Sequence, residues 1–212
     1  MNITLIGASG FIGSAILNEA LERGHRVTAL VTRPERLAAH AGLTALAADV
    51  MDVTRLTAQL AGTDAVLSAF SGHAQTDVRD YFVAGVRNII SAVKEARAPR
   101  LLVVGGAASL EVAPGALLFD SPGFPPEYRQ TAQGALDALA LLRQETALDW
   151  TMLSPSAVIA PGQRTGIYRS ALDQLISAAD GSSRISVEDY AKAMVDELER
   201  PAHPRQRFTV GY

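Results

Sequence analysis

A glycine-rich segment close to the N-terminus constrains the fold more than any other feature of the chain. It follows a short apolar run, Asn2–Ile6, and precedes apolar residues at helical spacing. Gly7 permits a tight turn, Gly10 lets the backbone approach a ligand, and Gly13 lets the helix pack closely on the strands. Because the first amides of a helix can bind an anion, the segment predicts a pyrophosphate site and hence a bound dinucleotide. The predicted contacts are Gly7, Ala8, Ser9, Gly10, Phe11, Ile12 and Gly13.

Two other interpretations of this segment exist. It could be an ordinary strand–helix turn that binds no ligand. A hydrolase nucleophile elbow, Gly-x-Ser-x-Gly, would need glycine where Phe11 stands, so that site does not fit. The strand–turn–helix context favours the dinucleotide interpretation.

Apolar runs and helical patterns alternate as far as residue 104. Continuous apolar runs are typical of parallel strands buried on both faces, and right-handed crossovers then give a doubly wound sheet. We predict an α/β Rossmann-type fold with helices on both faces, formed as a single domain over residues 1–212. Predicted strands are 2–6, 26–31, 43–48, 64–69, 100–104, 150–153 and 207–210. Predicted helices are 14–23, 53–60, 77–98, 129–145 and 187–199, with a short helix opening at Pro34.

Two stretches rich in glycine and proline interrupt the alternation, at residues 105–128 and 157–183. Long loops in compact domains are often functional. We therefore expect these two loops to form a small substrate-side region that extends toward the C-terminus.

Composition excludes several classes of function. The chain has no cysteine, which excludes disulfides, thiolate catalysis and cysteine-ligated metals, and no His/Asp/Glu cluster has metal-ligand spacing, so no metal site is predicted. The net charge is −3, which does not favour nucleic acid as a partner. The sequence shows neither a signal-peptide pattern nor an apolar run of membrane-spanning length, so we expect no membrane partner and a cytoplasmic location.

The residues after the second predicted strand indicate the cofactor. NAD-binding folds usually carry an acid there, which binds the ribose hydroxyls. Here the segment contains Thr32, Arg33 and Arg36. A guanidinium can bind a 2′-phosphate through two hydrogen bonds, so the sequence favours NADP, with NAD the less favoured choice. Alternatively, both arginines are ordinary surface charges.

Further motifs support a family resemblance. They are Thr32-Arg33-Pro34, Ala48-Asp49-Val50, residues 102–107 (LVVGGA), Asp149-Trp150-Thr151, Leu153-Ser154-Pro155, Arg164-Thr165-Gly166, Ile185-Ser186, Asp189-Tyr190-Ala191 and residues 206–212. With the glycine turn, they make the chain resemble the atypical short-chain dehydrogenase/reductases. The subgroup it resembles comprises NAD(P)H-binding proteins and NADH-flavin reductases, related to biliverdin reductase B and the NmrA-like proteins. The resemblance covers nearly the whole chain.

This resemblance implies further cofactor contacts, all at the carboxyl ends of strands. Asp49 and Val50 would flank the adenine. The central ribose and phosphates would contact Ala69, Phe70 and Ser71. The nicotinamide ribose would face Gly105 and Gly106, and the nicotinamide would lie near Pro155 and Ser156.

The resemblance also raises the question of a proton donor. The larger family uses a Tyr-x-x-x-Lys pair, in which the lysine lowers the tyrosine pKa. Tyr128 occupies the expected region, but Ala132 stands four residues later. The serine expected after the fifth strand is replaced by glycine and alanine, and Ser109 is a candidate substitute. Tyr128 and Ser109 are therefore the candidate catalytic residues, against structural roles in a loop and a cap.

Flavins and quinones need less from a protein than carbonyl substrates do, because they accept hydride directly and take a proton from water. The sequence therefore predicts an NADPH-dependent reductase of a small aromatic acceptor, with FMN or FAD as candidate substrates. Apolar residues of the first long loop could line the acceptor pocket or seal the core edge: Leu117, Leu118, Phe119 and Phe124. The alternatives are a non-catalytic NmrA-like redox sensor with a protein partner and, less favoured, an epimerase or dehydratase. The oligomeric state is open.

Overall fold

A mostly parallel sheet lies at the centre of the computed structural model, which describes residues 1–73 and 75–212. Its strands and those of two small sheets are β1 (Asn2–Ile6), β2 (Arg26–Val31), β3 (Leu43–Ala47), β4 (Ala65–Ser68), β5 (Arg100–Val104), β6 (Glu111–Ala113), β7 (Ala116–Leu117), β8 (Asp149–Ser154), β9 (Val158–Ala160), β10 (Arg169–Ala171), β11 (Arg184–Ser186) and β12 (Gln206–Gly211). The α-helices are α1 (Phe11–Glu22), α2 (Val53–Gln59), α3 (Val78–Glu95), α4 (Arg129–Gln144) and α5 (Val187–Glu199).

Eight strands form the main sheet in the order β3-β2-β1-β4-β5-β8-β12-β10. Neighbouring strands are parallel except for β10, which runs antiparallel to β12. The chain builds outward from β1 to β3 and then returns to β4 on the other side of β1, so the strand order reverses between β1 and β4. Ligands of such sheets bind outside the carboxyl ends of the strands at this reversal. The predicted Rossmann-type α/β fold is confirmed.

Two apolar clusters cover the two faces of the sheet. On one face α1 and α5 pack against strand residues that include Leu5, Leu67 and Leu153. On the other face α2, α3 and α4 pack against residues that include Val66 and Trp150. Because successive side chains of a strand point to opposite faces, the central strands contribute to both clusters. This explains why these strands are continuous apolar runs in the sequence.

Two helix ends differ from the sequence prediction for local reasons. The first helix begins at Phe11 rather than residue 14, because Gly10 is its N-cap and its carbonyl accepts a hydrogen bond from Ser14 N at 2.8 Å. The third helix ends at Glu95 rather than residue 98, because Arg97 adopts a positive φ of 55° that ends a right-handed helix. None of the helices in the described part of the chain combines the length and apolarity that a membrane crossing needs.

The two predicted irregular stretches contain regular pieces that the sequence did not indicate. The first holds the antiparallel pair β6–β7. The second holds β9, which pairs with β11, and β10, which extends the main sheet beyond β12. Strands of two or three residues carry no readable periodicity, so only tertiary pairing reveals them.

A network of charged groups joins α1 to α5. Arg23, the C-cap residue of α1, forms ion pairs with Asp196 and Glu199 of α5 at 2.8 and 2.9 Å. Asp196 also accepts hydrogen bonds from Lys192 Nζ and the Tyr168 hydroxyl at 2.6 and 2.7 Å. Burial alone would raise the pKa of Asp196, but hydrogen bonds from Lys192, Tyr168 and Arg23 outweigh it and lower that pKa from 3.8 to about 2.

This lowered pKa predicts an acid-dependent loss of stability. The Asp196 carboxylate stabilises the folded state above its unfolded-state pKa, and that contribution disappears as the pH falls from about 5 to about 2. We expect the D196N variant to be less stable than the parent protein at pH 7 by roughly 1–2 kcal/mol, with the difference shrinking below pH 4. Urea unfolding at several pH values measures the difference in unfolding free energy between the two proteins.

The control is E35Q, which neutralises an exposed carboxylate outside this network. We expect its unfolding free energy to follow the parent curve at every pH. A stability difference between D196N and the parent protein that stays constant down to pH 2 would contradict the role assigned to Asp196.

Candidate dinucleotide-binding site

The turn between β1 and α1 is packed so tightly that two of its glycines are required by the fold itself. Gly7 has a φ of 81°, and a Cβ on it would lie 2.6 Å from the carbonyl oxygen of Ala69. A Cβ on Gly13 would lie 2.1 Å from the carbonyl oxygen of Gly7. Both distances are far below van der Waals contact, so neither position accepts a side chain without backbone movement.

Gly10 differs from these two glycines. Its φ is −78°, which any residue adopts, and a Cβ on it would approach only the Gly7 carbonyl oxygen, at 3.4 Å. The protein's own packing therefore does not require glycine here. Gly10 and its neighbours Ser9 and Phe11 are exposed, and no side chain caps the start of α1 in the described part of the chain. Because the N-terminus of α1 is open and Gly10 has no Cβ, a pyrophosphate group can approach the backbone amides there.

The predicted adenine side lies at the ends of β2 and β3. Thr32, Arg33 and Arg36 are exposed, and the two guanidiniums form no ion pair with any of the residues 1–73 and 75–212. After β3, the Asp49 carboxylate accepts a hydrogen bond from the next-but-one backbone amide at 2.9 Å. The Val50 carbonyl accepts one from the Asn88 side-chain amide of α3 at 3.1 Å.

Asn88 is a residue that sequence analysis missed. It interrupts the apolar spacing of α3 between Val86 and Ile89, both of which are buried. A half-buried amide in such a helix usually serves a hydrogen bond. Here it ties α3 to the loop after β3 and so positions the backbone at Val50.

The loop after β4 is predicted to cover the centre of the dinucleotide. The Ala69 carbonyl packs against Gly7, and Ser71 is exposed. The Phe70 ring packs on α3, with its centroid 5.8 Å from that of Phe82 and nearly parallel to it. A Cβ on Gly85 would lie 2.3 Å from the Phe70 ring, so that glycine makes room for the ring. We therefore expect Phe70 to meet a ligand through its backbone, because its ring belongs to the core.

The predicted nicotinamide side lies beyond β5 and β8. Gly105 and Gly106 are half-buried, while Pro155 and Ser156 are buried. The Ser156 hydroxyl donates to the Val210 carbonyl at 2.9 Å, so it is already engaged by the sheet. Like Phe70, Ser156 is expected to present backbone rather than side chain to a ligand.

Ser109, the first of the two candidate proton donors, is held in a structural cluster. It is 4% exposed, its hydroxyl donates to the Gly106 carbonyl at 3.1 Å, and it accepts from Arg207 Nη1 at 2.9 Å. Arg207 also forms an ion pair with Asp173, so the cluster joins the two long loops. The only hydrogen of this hydroxyl is already donated to the Gly106 carbonyl, so the geometry gives Ser109 a structural role rather than that of a proton donor.

Tyr128, the second candidate, lies at the start of α4 with 59% of its surface exposed. Ala132 is buried on the next turn. The lysines of the chain are Lys94 and Lys192, and each is paired elsewhere, with Glu145 at 2.9 Å and Asp196 at 2.6 Å. The structure thus brings no lysine to Tyr128, and a Tyr-x-x-x-Lys pair is missing from the described residues.

Asp189 anchors the second long loop, a role that sequence analysis did not assign. This buried carboxylate accepts hydrogen bonds from Thr165 Oγ1 at 2.5 Å, from Gly166 N at 2.7 Å and from the Tyr212 hydroxyl at 2.7 Å. Burial raises the pKa of Asp189, but hydrogen bonds from Thr165, Tyr212 and Gly166 outweigh it and lower the pKa. The motifs at 164–166 and 189–191 were visible in the sequence, but their contact was not.

A cavity of about 370 Å³ opens between the first turns of α3 and α4. Phe119 borders the cavity. The centroid of its ring lies 5.5 Å from that of Phe124, and the Arg129 guanidinium carbon lies 5.2 Å from the Phe119 ring centroid. Both helices run antiparallel to β5 and β8, so their first turns lie at the carboxyl edge of the sheet, on the same side as the glycine turn. The residues lining the cavity are Asp77, Arg79, Asp80, Phe119, Arg129, Gln130 and Gln133.

The contrast between Gly10 and Gly13 gives a test of the site. For G13A, the better helix propensity of alanine, about 1 kcal/mol, is outweighed by the clash with the Gly7 carbonyl, and we expect a net loss of about 3 kcal/mol. For G10A, we expect a stability loss of at most about 1 kcal/mol. Binding of nicotinamide dinucleotide to G10A should nevertheless weaken by roughly tenfold or more, because the new Cβ meets the pyrophosphate.

Denaturant unfolding and cofactor titration of the two variants measure these effects. The matched control is S14A, on the same helix, whose side chain bonds the Phe11 carbonyl at the exposed surface. We expect S14A to bind the dinucleotide as the parent protein does. Unchanged dinucleotide affinity in G10A would show that the ligand does not pass over this turn.

Comparisons with known proteins agree with this geometry. A family model described as NAD(P)H-binding matches residues 7–201. The protein YwnB of Bacillus subtilis is 44% identical over 213 residues, which cover 99% of this chain and 98% of that protein. A crystal structure from Bacteroides thetaiotaomicron, proposed to be an epimerase, has 45% identity and a TM-score of 0.93, covering 100% of this chain and 96% of that chain.

A second crystal structure, of a proposed NADH-flavin reductase from Streptococcus pneumoniae, has 34% identity and a TM-score of 0.90, covering 100% of this chain and 99% of that chain. The family resemblance predicted from the sequence is confirmed. Since the family model spans most of the chain and these relatives match it from end to end, the protein belongs to the NAD(P)H-binding family.

Proposed function

We propose that the protein is an NADPH-dependent reductase that transfers hydride to a planar aromatic acceptor such as a flavin or a quinone. The observation that carries the proposal is a dinucleotide-type glycine turn in a chain whose two lysines are both paired away from Tyr128, the candidate acid. Chemistry that needs a strong protein acid is therefore disfavoured. Chemistry that needs mainly positioning of two rings is favoured.

The reaction balances without a protein acid. When bound, the reduced nicotinamide supplies a hydride, which carries two electrons, and the acceptor takes up one further proton from water. The protein's part is to hold the dinucleotide through the glycine turn and to hold the acceptor against it. Oxidised dinucleotide and reduced acceptor are then released.

The cavity between α3 and α4 supports an aromatic acceptor. Its volume of about 370 Å³ lies within the range of small-ligand sites. The Phe119 ring gives an apolar wall, while Arg129 and the amides of Gln130 and Gln133 give polar groups that can fix orientation. We infer that Phe119 and Arg129 contact part of the acceptor.

The choice of NADPH over NADH rests on Arg33 and Arg36. Both follow β2, where dinucleotide-binding folds bind the ribose of the adenosine half. Both are exposed, and neither forms an ion pair with the described residues. A free guanidinium binds a 2′-phosphate through charge-assisted hydrogen bonds. An acid, which NAD-specific folds place here, does not occur in residues 31–34.

Turnover of NADPH with a panel of acceptors tests the proposed function. We expect purified protein to oxidise NADPH in the presence of FMN, FAD or a quinone, and to show little activity with simple aldehydes and ketones. Absorbance at the reduced-nicotinamide band measures the rate, and the G10A variant is the control for cofactor-dependent turnover. Saturable NADPH binding without turnover on any acceptor would contradict the proposal and favour the redox sensor.

Arg33 provides the test of cofactor choice. We expect R33A to weaken NADPH binding about 10- to 100-fold, because it removes charge-assisted hydrogen bonds to the 2′-phosphate, while NADH binding changes less than about threefold. The matched control is R26A, which removes an exposed arginine at the opposite end of the same strand. Equal, small losses for both cofactors in R33A would refute NADPH selection by this residue.

A further inference from the structure

Tyr190 is fully buried and connects three elements of the fold through one hydrogen bond. It lies in the first turn of α5, and its hydroxyl donates a hydrogen bond to the Leu153 carbonyl at 2.6 Å. The same carbonyl accepts a hydrogen bond from Gly105 N at 2.8 Å. One carbonyl oxygen thus joins α5, the end of β8 and the first residue after β5.

The sheet order places this carbonyl beside the expected position of the nicotinamide. Arg33, which we propose binds the 2′-phosphate, follows β2, and the glycine turn that would bind the pyrophosphate follows β1. The dinucleotide would therefore run from β2 toward β1. Its other half must then extend over the next strands in the same direction, which are β4, β5 and β8. Gly105 is the first residue beyond β5 and Pro155 is the first beyond β8.

The backbone at Gly105 is held from both faces of the sheet. On the α5 face, Tyr190 holds the Leu153 carbonyl to which Gly105 is bonded. On the other face, a Cβ on Gly105 would lie 2.7 Å from Met152 Cγ and 2.9 Å from Ser154 Oγ. Gly105 therefore has little freedom to move toward or away from the sheet. Burial raises the pKa of Tyr190 well above its ordinary value, so the hydroxyl stays protonated and keeps donating at neutral pH.

We propose that Tyr190 is a positioning residue for hydride transfer: through the Leu153 carbonyl it fixes the backbone of residues 105–106 on which the nicotinamide ring rests. Its side chain is fully buried, so it touches neither cofactor nor acceptor and is not a catalytic residue. The inference rests on the proposed reductase function. A displacement of about 1 Å between two reacting rings is enough to lower the rate of hydride transfer by two orders of magnitude.

The test compares Y190F with the parent protein. Phenylalanine keeps the ring in the core, and the Leu153 carbonyl keeps its bond from Gly105 N, so the fold is retained. We expect the dissociation constant of NADPH to change less than about threefold, because the pyrophosphate turn is untouched, while kcat falls about tenfold or more and KM for the acceptor stays similar. We also expect the fluorescence of bound NADPH and the amide hydrogen exchange of Gly105 to change, two readouts that need no turnover.

The matched control is T151V, which deletes a different buried hydroxyl, one that lies on β8, the strand that carries the Leu153 carbonyl. Thr151 Oγ1 donates to the His203 carbonyl at 2.7 Å and accepts a bond from Arg100, away from residues 105–106. We expect T151V to lower the melting temperature at least as much as Y190F but to leave kcat and the fluorescence of bound NADPH unchanged. An equal fall of kcat in both variants would overturn the positioning role, because a general loss of fold stability would then explain the fall of kcat.

The remaining outcomes separate the inference from the proposed function. If the parent protein reduces acceptors and Y190F matches it in kcat and NADPH fluorescence, the inference fails and the reductase function stands. If the parent protein binds NADPH but reduces nothing, the reductase function fails. A fluorescence change confined to Y190F then still supports the placement of the nicotinamide, and its absence overturns that placement. Failure of the parent protein to bind NADPH overturns both.

Discussion

Helix α1 packs so closely on the turn that precedes it that this contact sets where the other elements of the fold must lie. A side chain on Gly13 would clash with the Gly7 carbonyl, and a side chain on Gly7 would clash with the Ala69 carbonyl. This packing brings the start of α1 to the carboxyl ends of β1 and β4, where the strand order reverses. The free amides of the helix then face the crevice that holds ligands in such sheets. The contact that the fold requires thus also forms the turn at which we propose that an anion binds.

The other side of the crevice is held by buried polar groups rather than by glycines. Asp189 holds the loop around Thr165 and Gly166, and Arg207 joins the two long loops through Ser109 and Asp173. Breaking such pairs leaves a buried charge without a partner, which is strongly unfavourable. These loops are therefore fixed parts of the fold in spite of their glycine and proline content, and we propose that they form the substrate side.

The chemistry that the site can perform depends on which of its side chains are not already engaged by contacts within the protein. Ser109 is occupied by Arg207, and Tyr128 is exposed without a lysine beside it. In contrast, the glycine turn is open and the cavity near Phe119 and Arg129 lies at the same edge of the sheet. A site of this kind contributes binding, orientation and exclusion of water, and the cofactor contributes the reactivity. The flavin or quinone reduction that we propose suits that division.

The α/β fold, most helix and strand positions and the glycine turn could be predicted from the amino-acid sequence, because these features depend on local geometry. Glycine adopts backbone conformations and close contacts that a Cβ forbids, and apolar periodicity marks buried faces. The sequence also determined that Tyr128 has no lysine four residues later. Three-dimensional contacts were needed to show that the Phe70 ring packs on α3 and that the Ser156 hydroxyl bonds the Val210 carbonyl. They were also needed to show that Ser109 bonds Arg207 and that Asn88 holds the loop after β3. Those outcomes depend on which residues distant in sequence meet in space, and side-chain hydrogen bonds between such residues leave no periodic pattern along the chain.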